Sequence, residues 1–269
     1  MKKIIFLALT LTLGVFGQTV AQSVVVQDLN YAIQSAENIQ QEVSVARTAV
    51  NQLAKQLTIL GNPNAALFAD KMNYHVNSVL NESDDMQYFI GLAQSNSTIP
   101  FSTATISNNA NELVNQNDIL MDLTNQITTA IDANNTNEAI SLIKPIRTAL
   151  TKQYNLAADS ISYIESIITL IETTYTVCIK TVDSQGNPTT YTAGFYAQNT
   201  NTNEYIYPGN PNDQDYGQGN CFYNLTPGTY TFGSYQDYFC GTNSSTITLS
   251  QELVNTNGII EVTLVVWCE

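Results

Sequence analysis

The chain has 269 residues, a net charge of −14, one His, four Cys and one Trp. With 9 Lys and Arg against 23 Asp and Glu, it repels nucleic acid and anionic lipid, and a single His excludes a multi-His metal centre. A composition 43% hydrophobic, with 13 Gly and 7 Pro, excludes a disordered or collagen-like chain and allows one or two domains.

Residues 1–21 read as a secretory signal peptide. Lys2 and Lys3 open it, an apolar run follows that is too short for a membrane anchor, and Thr19-Val20-Ala21 places small residues before a cut at Gln22. No later run reaches the ~20 apolar residues of a spanning helix. The expected address is secreted or cell-surface, the periplasm included, without membrane insertion. Cys178, Cys221, Cys240 and Cys268 are even in number, lie in the last third and show no C-x-x-C spacing. Two disulfides are therefore expected rather than a zinc site.

Residues 22–174 carry a helical period. Leu29, Ala32, Ala36, Ile39, Val43, Ala46, Val50, Leu53, Leu57 and Leu60 alternate spacings of three and four, an a/d seam that Gly61-Asn62-Pro63 ends. A second helix is expected over 64–94, on Ala69, Met72, Val76, Val79, Ser83, Met86, Ile90 and Ala93. A third starts at a Ser102 or Thr103 cap and runs through Ile106, Ala110, Leu113, Asn117, Leu120, Thr124, Ile127 and Ile131. Asn117 and Thr124 read as polar core residues that fix register. A fourth, over 138–173, has Leu150, Tyr154, Ala157, Ile161, Ile164, Ile168 and Ile171 as its seam. Together these predict an antiparallel four-helix bundle, rod-like, with His75 at its surface or boundary.

At Tyr175 the period changes to two. Strands are expected at 175–182, 190–198, 204–207, 221–225, 229–235, 246–250 and 259–267. The predicted fold is thus α + β in two domains, the bundle over 22–174 followed by a seven-stranded β-sandwich over 175–269. Ten of the 15 tyrosines fall in the second part, and no Lys or Arg follows Lys180.

Two motifs carry a resemblance. The first is Asp183-Ser184-Gln185-Gly186-Asn187-Pro188 after the first strand. The second is Tyr223-Asn224-Leu225-Thr226-Pro227-Gly228-Thr229-Tyr230-Thr231-Phe232. They resemble the carboxypeptidase-regulatory-like and Cna-B-type domains of transthyretin-like (prealbumin-like) fold. The resemblance implies an accessory module, a spacer, stalk or adhesive domain, rather than a catalyst. Some Cna-B-type domains join first and last strands by an isopeptide bond. This sequence departs from that pattern, since Lys180 is the only lysine in this part and Asn257 precedes the last strand rather than lying within it; by that likeness a Cys178–Cys268 disulfide would clamp the same strands, leaving Cys221–Cys240 for the inner ones. Cysteine spacing alone leaves three connectivities open. The Gln-rich heptads over 34–56 are also faintly similar to the VirB5-type minor pilins of conjugative secretion systems.

No G-x-S-x-G, H-E-x-x-H, P-loop or dinucleotide fingerprint is present, so no catalytic residue, cofactor or metal site is assigned. The Asp84/Asp85 and Asp213/Asp215 pairs read as solvated acids. Tyr191, Tyr205, Tyr207, Tyr216, Tyr223, Tyr235 and Tyr238 are more tyrosine than a small sandwich buries, and all except Tyr223 are assigned to a candidate binding surface. The expected function is an exported, non-enzymatic structural or adhesive surface protein that self-assembles. Its partner is a further copy, another surface protein or a polysaccharide. A carbohydrate- or protein-binding module and a component of a secretion apparatus are the alternatives.

Overall fold

The computed structural model describes residues 17–190, 193–209 and 216–269, and of residues 17–22 the backbone alone. Most of the expected signal peptide therefore lies outside the described residues, as do Tyr191 and the Asp213/Asp215 pair. Four helices come first: α1 (Gly17–Lys55), α2 (Ala65–Asn96), α3 (Ala104–Asp132) and α4 (Thr136–Glu172). At 29 to 39 residues each they span ~45–60 Å. Their ends follow local chemistry. Past Lys55 the chain widens into a π turn, Gln56–Leu60, closed by Gly61 at φ +62°, whose N–H donates to the Gln56 carbonyl. Asn64 caps α2 by accepting from the Leu67 N–H at 2.9 Å. Asn135 and Glu138 cap α4 reciprocally: the Asn135 Oδ1 accepts from the Glu138 N–H, and its amide donates to the Glu138 carboxylate.

α1 packs on α2 and α4, and α3 packs on the same two, so α2 and α4 face each other across the core. The seam residues from Leu29 to Leu53 in α1 and Leu57 in the π turn are all buried, whereas Leu60, the last residue of that turn, is 60% exposed. Asn117 and Thr124 are buried as expected. Phe68 rather than the expected Ala69 is buried in α2, and Ala130 rather than Ile131 in α3. His75 is not at the boundary but only 2% exposed. In α4 the buried row is Leu150, Gln153, Ala157, Ser160, Ile164, Ile167 and Ile171, with Tyr154 and Ile161 on its flank.

One network accounts for His75 and for Gln153 in place of Tyr154. His75 Nε2 lies 2.9 Å from Gln153 Oε1, the Gln153 amide donates to Asn117 Oδ1 at 2.6 Å, and the Asn117 amide donates to the Val76 carbonyl. Because the Gln153 amide nitrogen is turned to Asn117, its oxygen faces the imidazole, and His75 Nε2–H is the donor. The chain of bonds joins α2, α3 and α4 through the core. A polar residue at a core position is tolerated where its groups find partners; the Gln153 and Asn117 amides do, whereas the buried His75 Nδ1 has no hydrogen-bond partner among the described residues. An apolar template therefore selects Tyr154 in place of Gln153.

Thr173 and Thr174 separate α4 from β1 (Tyr175–Val182). There follow β2 (Phe195–Asn199), β3 (Tyr205–Ile206), β4 (Cys221–Leu225), β5 (Thr229–Ser234), β6 (Cys240–Thr242), β7 (Ser245–Thr248) and β8 (Ile260–Cys268). They form two four-stranded sheets, ordered β4-β1-β8-β6 and β3-β2-β5-β7. One apolar cluster draws on both sheets: Val177, Ile179, Phe222 and Val262 from the first meet Phe195, Tyr230 and Phe232 from the second. β6 is an eighth strand where seven were expected. Its Cys-Gly-Thr sequence reads as a turn, and pairing with β8 makes it a strand.

The cysteines pair differently from the resemblance-based expectation. The disulfides are Cys178–Cys221 and Cys240–Cys268. Sheet register explains this. β1 and β8 are adjacent but parallel, and Cys178 stands opposite Glu261. Cys268 is seven residues further along, which at ~3.3 Å per residue is over 20 Å away. β4 and β6 are the opposite edges of the sheet, about 14 Å apart at ~4.8 Å per strand, beyond disulfide reach. The observed bonds instead join residues directly opposed in antiparallel pairs, Cys178↔Cys221 and Cys240↔Cys268. Each fastens an edge strand of the first sheet to its inner neighbour.

Candidate functional site: a tyrosine cluster on the second sheet

β2 and β5 alternate sides. Phe195, Ala197, Tyr230 and Phe232 point into the core, which turns Tyr196, Gln198, Thr229 and Thr231 outward. Tyr196 stands opposite Gly233 on β5. A Cβ on that glycine would come within 2.7 Å of the Tyr196 ring, so the ring lies down across Gly233. No other residue leaves room for it there, and the tyrosine in turn covers the glycine backbone.

Tyr205 and Tyr235 are the diagonal neighbours of Tyr196, one on each side in the order β3-β2-β5. Their ring centroids lie 5.4 and 5.6 Å from that of Tyr196, with interplanar angles of 59° and 56°. Tyr207, two residues beyond Tyr205, stacks on Tyr235 at 6.3 Å, and Tyr216 meets Tyr207 edge-on at 6.1 Å. Five rings thus form one connected cluster. Offset and edge-to-face pairs at such distances are each worth about 0.5–1.5 kcal/mol beyond buried area. The Tyr235 hydroxyl is pushed up to about 12, first by its hydrogen bond with Tyr207 and then by partial desolvation and the neighbouring phenols. The Tyr235 phenol therefore stays uncharged at physiological pH.

Beside the rings the face is hydroxyl-rich. Thr229 and Thr248, and Thr231 and Thr246, pair hydroxyl to hydroxyl at 2.8 Å across β5 and β7. Of the expected binding residues, the structure brings Tyr205, Tyr207, Tyr216 and Tyr235 together and adds Tyr196, which the sequence reading did not single out. Tyr238 is apart from them. It is 95% exposed and contacts Phe239 on a turn held by Asp237, whose carboxylate accepts from the Phe239 and Cys240 N–H groups. Those bonds hold the Asp237 carboxyl below the usual carboxylate range. Tyr223 is exposed on β4, in the other sheet. Tyr191 lies outside the described residues.

The remaining chemistry is sparse. Asp84 and Asp85 are exposed on α2. Among the described residues no three His, Cys, Asp or Glu side chains converge as a metal site requires, and no helix is long and apolar enough to cross a membrane. Tyr230 is buried, and its hydroxyl donates to the Thr226 carbonyl, tying β5 to the turn before it. Compared with family models, curated proteins and solved structures, the chain matches none.

Proposed function

We propose that this is an exported, non-enzymatic adhesive surface protein. The four helices form an antiparallel supporting stalk, the two sheets a prealbumin-like sandwich head, and the tyrosine face of β3-β2-β5 is the head's contact surface. The five-ring cluster carries this reading. Large rings that are partly exposed, mutually braced and uncharged are the residues that dominate recognition surfaces, because little side-chain entropy remains to be lost on contact. Two disulfides in the head fit an oxidising compartment.

The test is retention of the mature, oxidised chain on washed envelopes of the cells that export it. The wild type is retained, and a Tyr196→Ala/Tyr235→Ala variant with an unchanged thermal midpoint is washed off. Equal retention of the two would rule out the tyrosine face as the contact.

Self-assembly is the second reading. It is favoured by Ile59, Leu60 and Leu67, which are 73%, 60% and 49% exposed where α1 turns into α2. An apolar tip of this kind is covered at modest cost by the same tip of another copy.

A further inference from the structure

We propose that the tyrosine face binds a strand of uncharged polysaccharide; the assignment rests on the adhesive reading and names its ligand class. The observation that selects this ligand is what surrounds the rings. Outward positions beside the cluster are Gln198, Thr229, Thr231, Thr246 and Thr248, all neutral and all able to hydrogen-bond. In each Thr–Thr pair one hydroxyl donates to the other, so one O–H donor per pair is still available. Glu204 precedes Tyr205 at the start of β3 and stands opposite the core-facing Asn199, whose N–H donates to its carbonyl.

A second neutral surface lies beside Tyr235, between the start of β2 and β1 of the other sheet. The Tyr235 N–H donates to the Gly194 carbonyl, and at Gly194 a groove of about 730 Å³ opens. Thr181, Thr189, Thr190, Gln218 and Asn220 supply its polar lining, and its other lining residues are Gly, Ala, Ile and Phe. Among the described residues, rings and groove therefore present aromatic faces, hydroxyls and amides with no formal charge; Asp213 and Asp215 lie outside those residues.

Sugars present the complementary chemistry. A pyranose has a C–H face that packs on an aromatic ring and a rim of hydroxyls that exchange hydrogen bonds with amides and hydroxyls. Tyr196, lying on the sheet between two tilted rings, supplies the ring face, and Gln198 lies two residues along the same strand. Other occupants fit less well. A net charge of −14 repels a polyanion and a second copy of the chain alike. A cationic partner would require carboxylates on the face. A protein partner would use the same rings, but the rows of Thr hydroxyls and the Gln198 amide beside them match a hydroxyl-rimmed sugar more closely.

The experiment is affinity electrophoresis of the mature, oxidised full-length protein. Native gels are cast with soluble β-glucan, xyloglucan, galactomannan or α-glucan, and with polygalacturonate as the anionic control. At least one uncharged polymer retards the wild type. Tyr196→Ala and Gln198→Ala weaken that retardation about tenfold or more, while Tyr238→Ala, outside the cluster, leaves it unchanged. The Gln198 variant removes an amide without disturbing the ring cluster, so its effect is not one of misfolding. If no uncharged polymer retards the protein while envelope retention still depends on Tyr196 and Tyr235, the polysaccharide assignment is overturned and the adhesive reading stands. If retention is also tyrosine-independent, both fall. Retardation by polygalacturonate alone overturns the assignment as well.

Discussion

Gly233 matters because of what lies on it. Any side chain there meets the Tyr196 ring, so Gly233→Ala lifts the ring and breaks its contacts with Tyr205 and Tyr235. The expected result is loss of surface retention comparable to Tyr196→Ala, with about 1 kcal/mol of destabilisation. Retention at the wild-type level would show that the ring's position is unimportant. Tyr235 offers a second check. Its phenol ionises near 12 because Tyr207 holds it by a hydrogen bond, so Tyr235→Phe removes a late step from the alkaline absorbance titration rather than one near 10. At His75 burial is the leading influence and lowers its pKa, while Gln153 and the Glu42 backbone, which favour the protonated form, oppose it. The imidazole is neutral in the fold, whereas in the unfolded chain it takes a proton near 6.5. Its contribution to stability is therefore complete above that value and is lost as pH falls below it. Urea midpoints should drop between pH 7 and pH 5 in the wild type and stay flatter in His75→Gln; equal slopes would contradict this. Tyr196 itself was hidden in the sequence, because an alternating strand shows which residues face outward but not which outward ring has a glycine opposite.

For the elements, legibility followed the locality of the physics. The α1 seam was readable because apolar spacing decides which face of a helix is buried, and β1 was readable because buried residues alternate from Tyr175 to Ile179 and turn chemistry follows its end. The α4 seam and the disulfides were not, since both depend on partners distant in the chain. Gln153 is buried because His75 and Asn117 receive it, and Cys178 meets Cys221 because β8 runs parallel to β1. Gln153→Leu keeps the volume but strands both partners in the core, at a cost of about 2–3 kcal/mol measured by urea unfolding. A Cys178→Ser/Cys221→Ser variant opens a link across 43 residues, worth ~4 kcal/mol in the chain-entropy account. It also frees β4 to leave the sheet edge, which exposes β1 and should promote aggregation on warming. A thermal midpoint unchanged by reduction would contradict a fastening role for these bonds.

For the whole molecule, acidity and the tyrosine face act together. Like charge keeps copies apart, while a neutral patch offers contact without that repulsion. Where salt screens the charge, the α1–α2 tip allows association. Light scattering should then show a mass that rises with salt in the wild type and stays monomeric in Leu60→Asp. A wild-type monomer at high protein and salt concentration would exclude tip-to-tip assembly. The claim that the β3-β2-β5 face makes the adhesive contact is tested most directly by hydroxyl-radical footprinting of each tyrosine, in the free chain and in the chain held on its target surface. Protection of Tyr196, Tyr205, Tyr207 and Tyr235, with Tyr223 and Tyr238 labelled as in the free chain, is the predicted pattern. Unprotected cluster tyrosines, with protection at Tyr238 or at the α1–α2 tip instead, would place the contact elsewhere and contradict the claim.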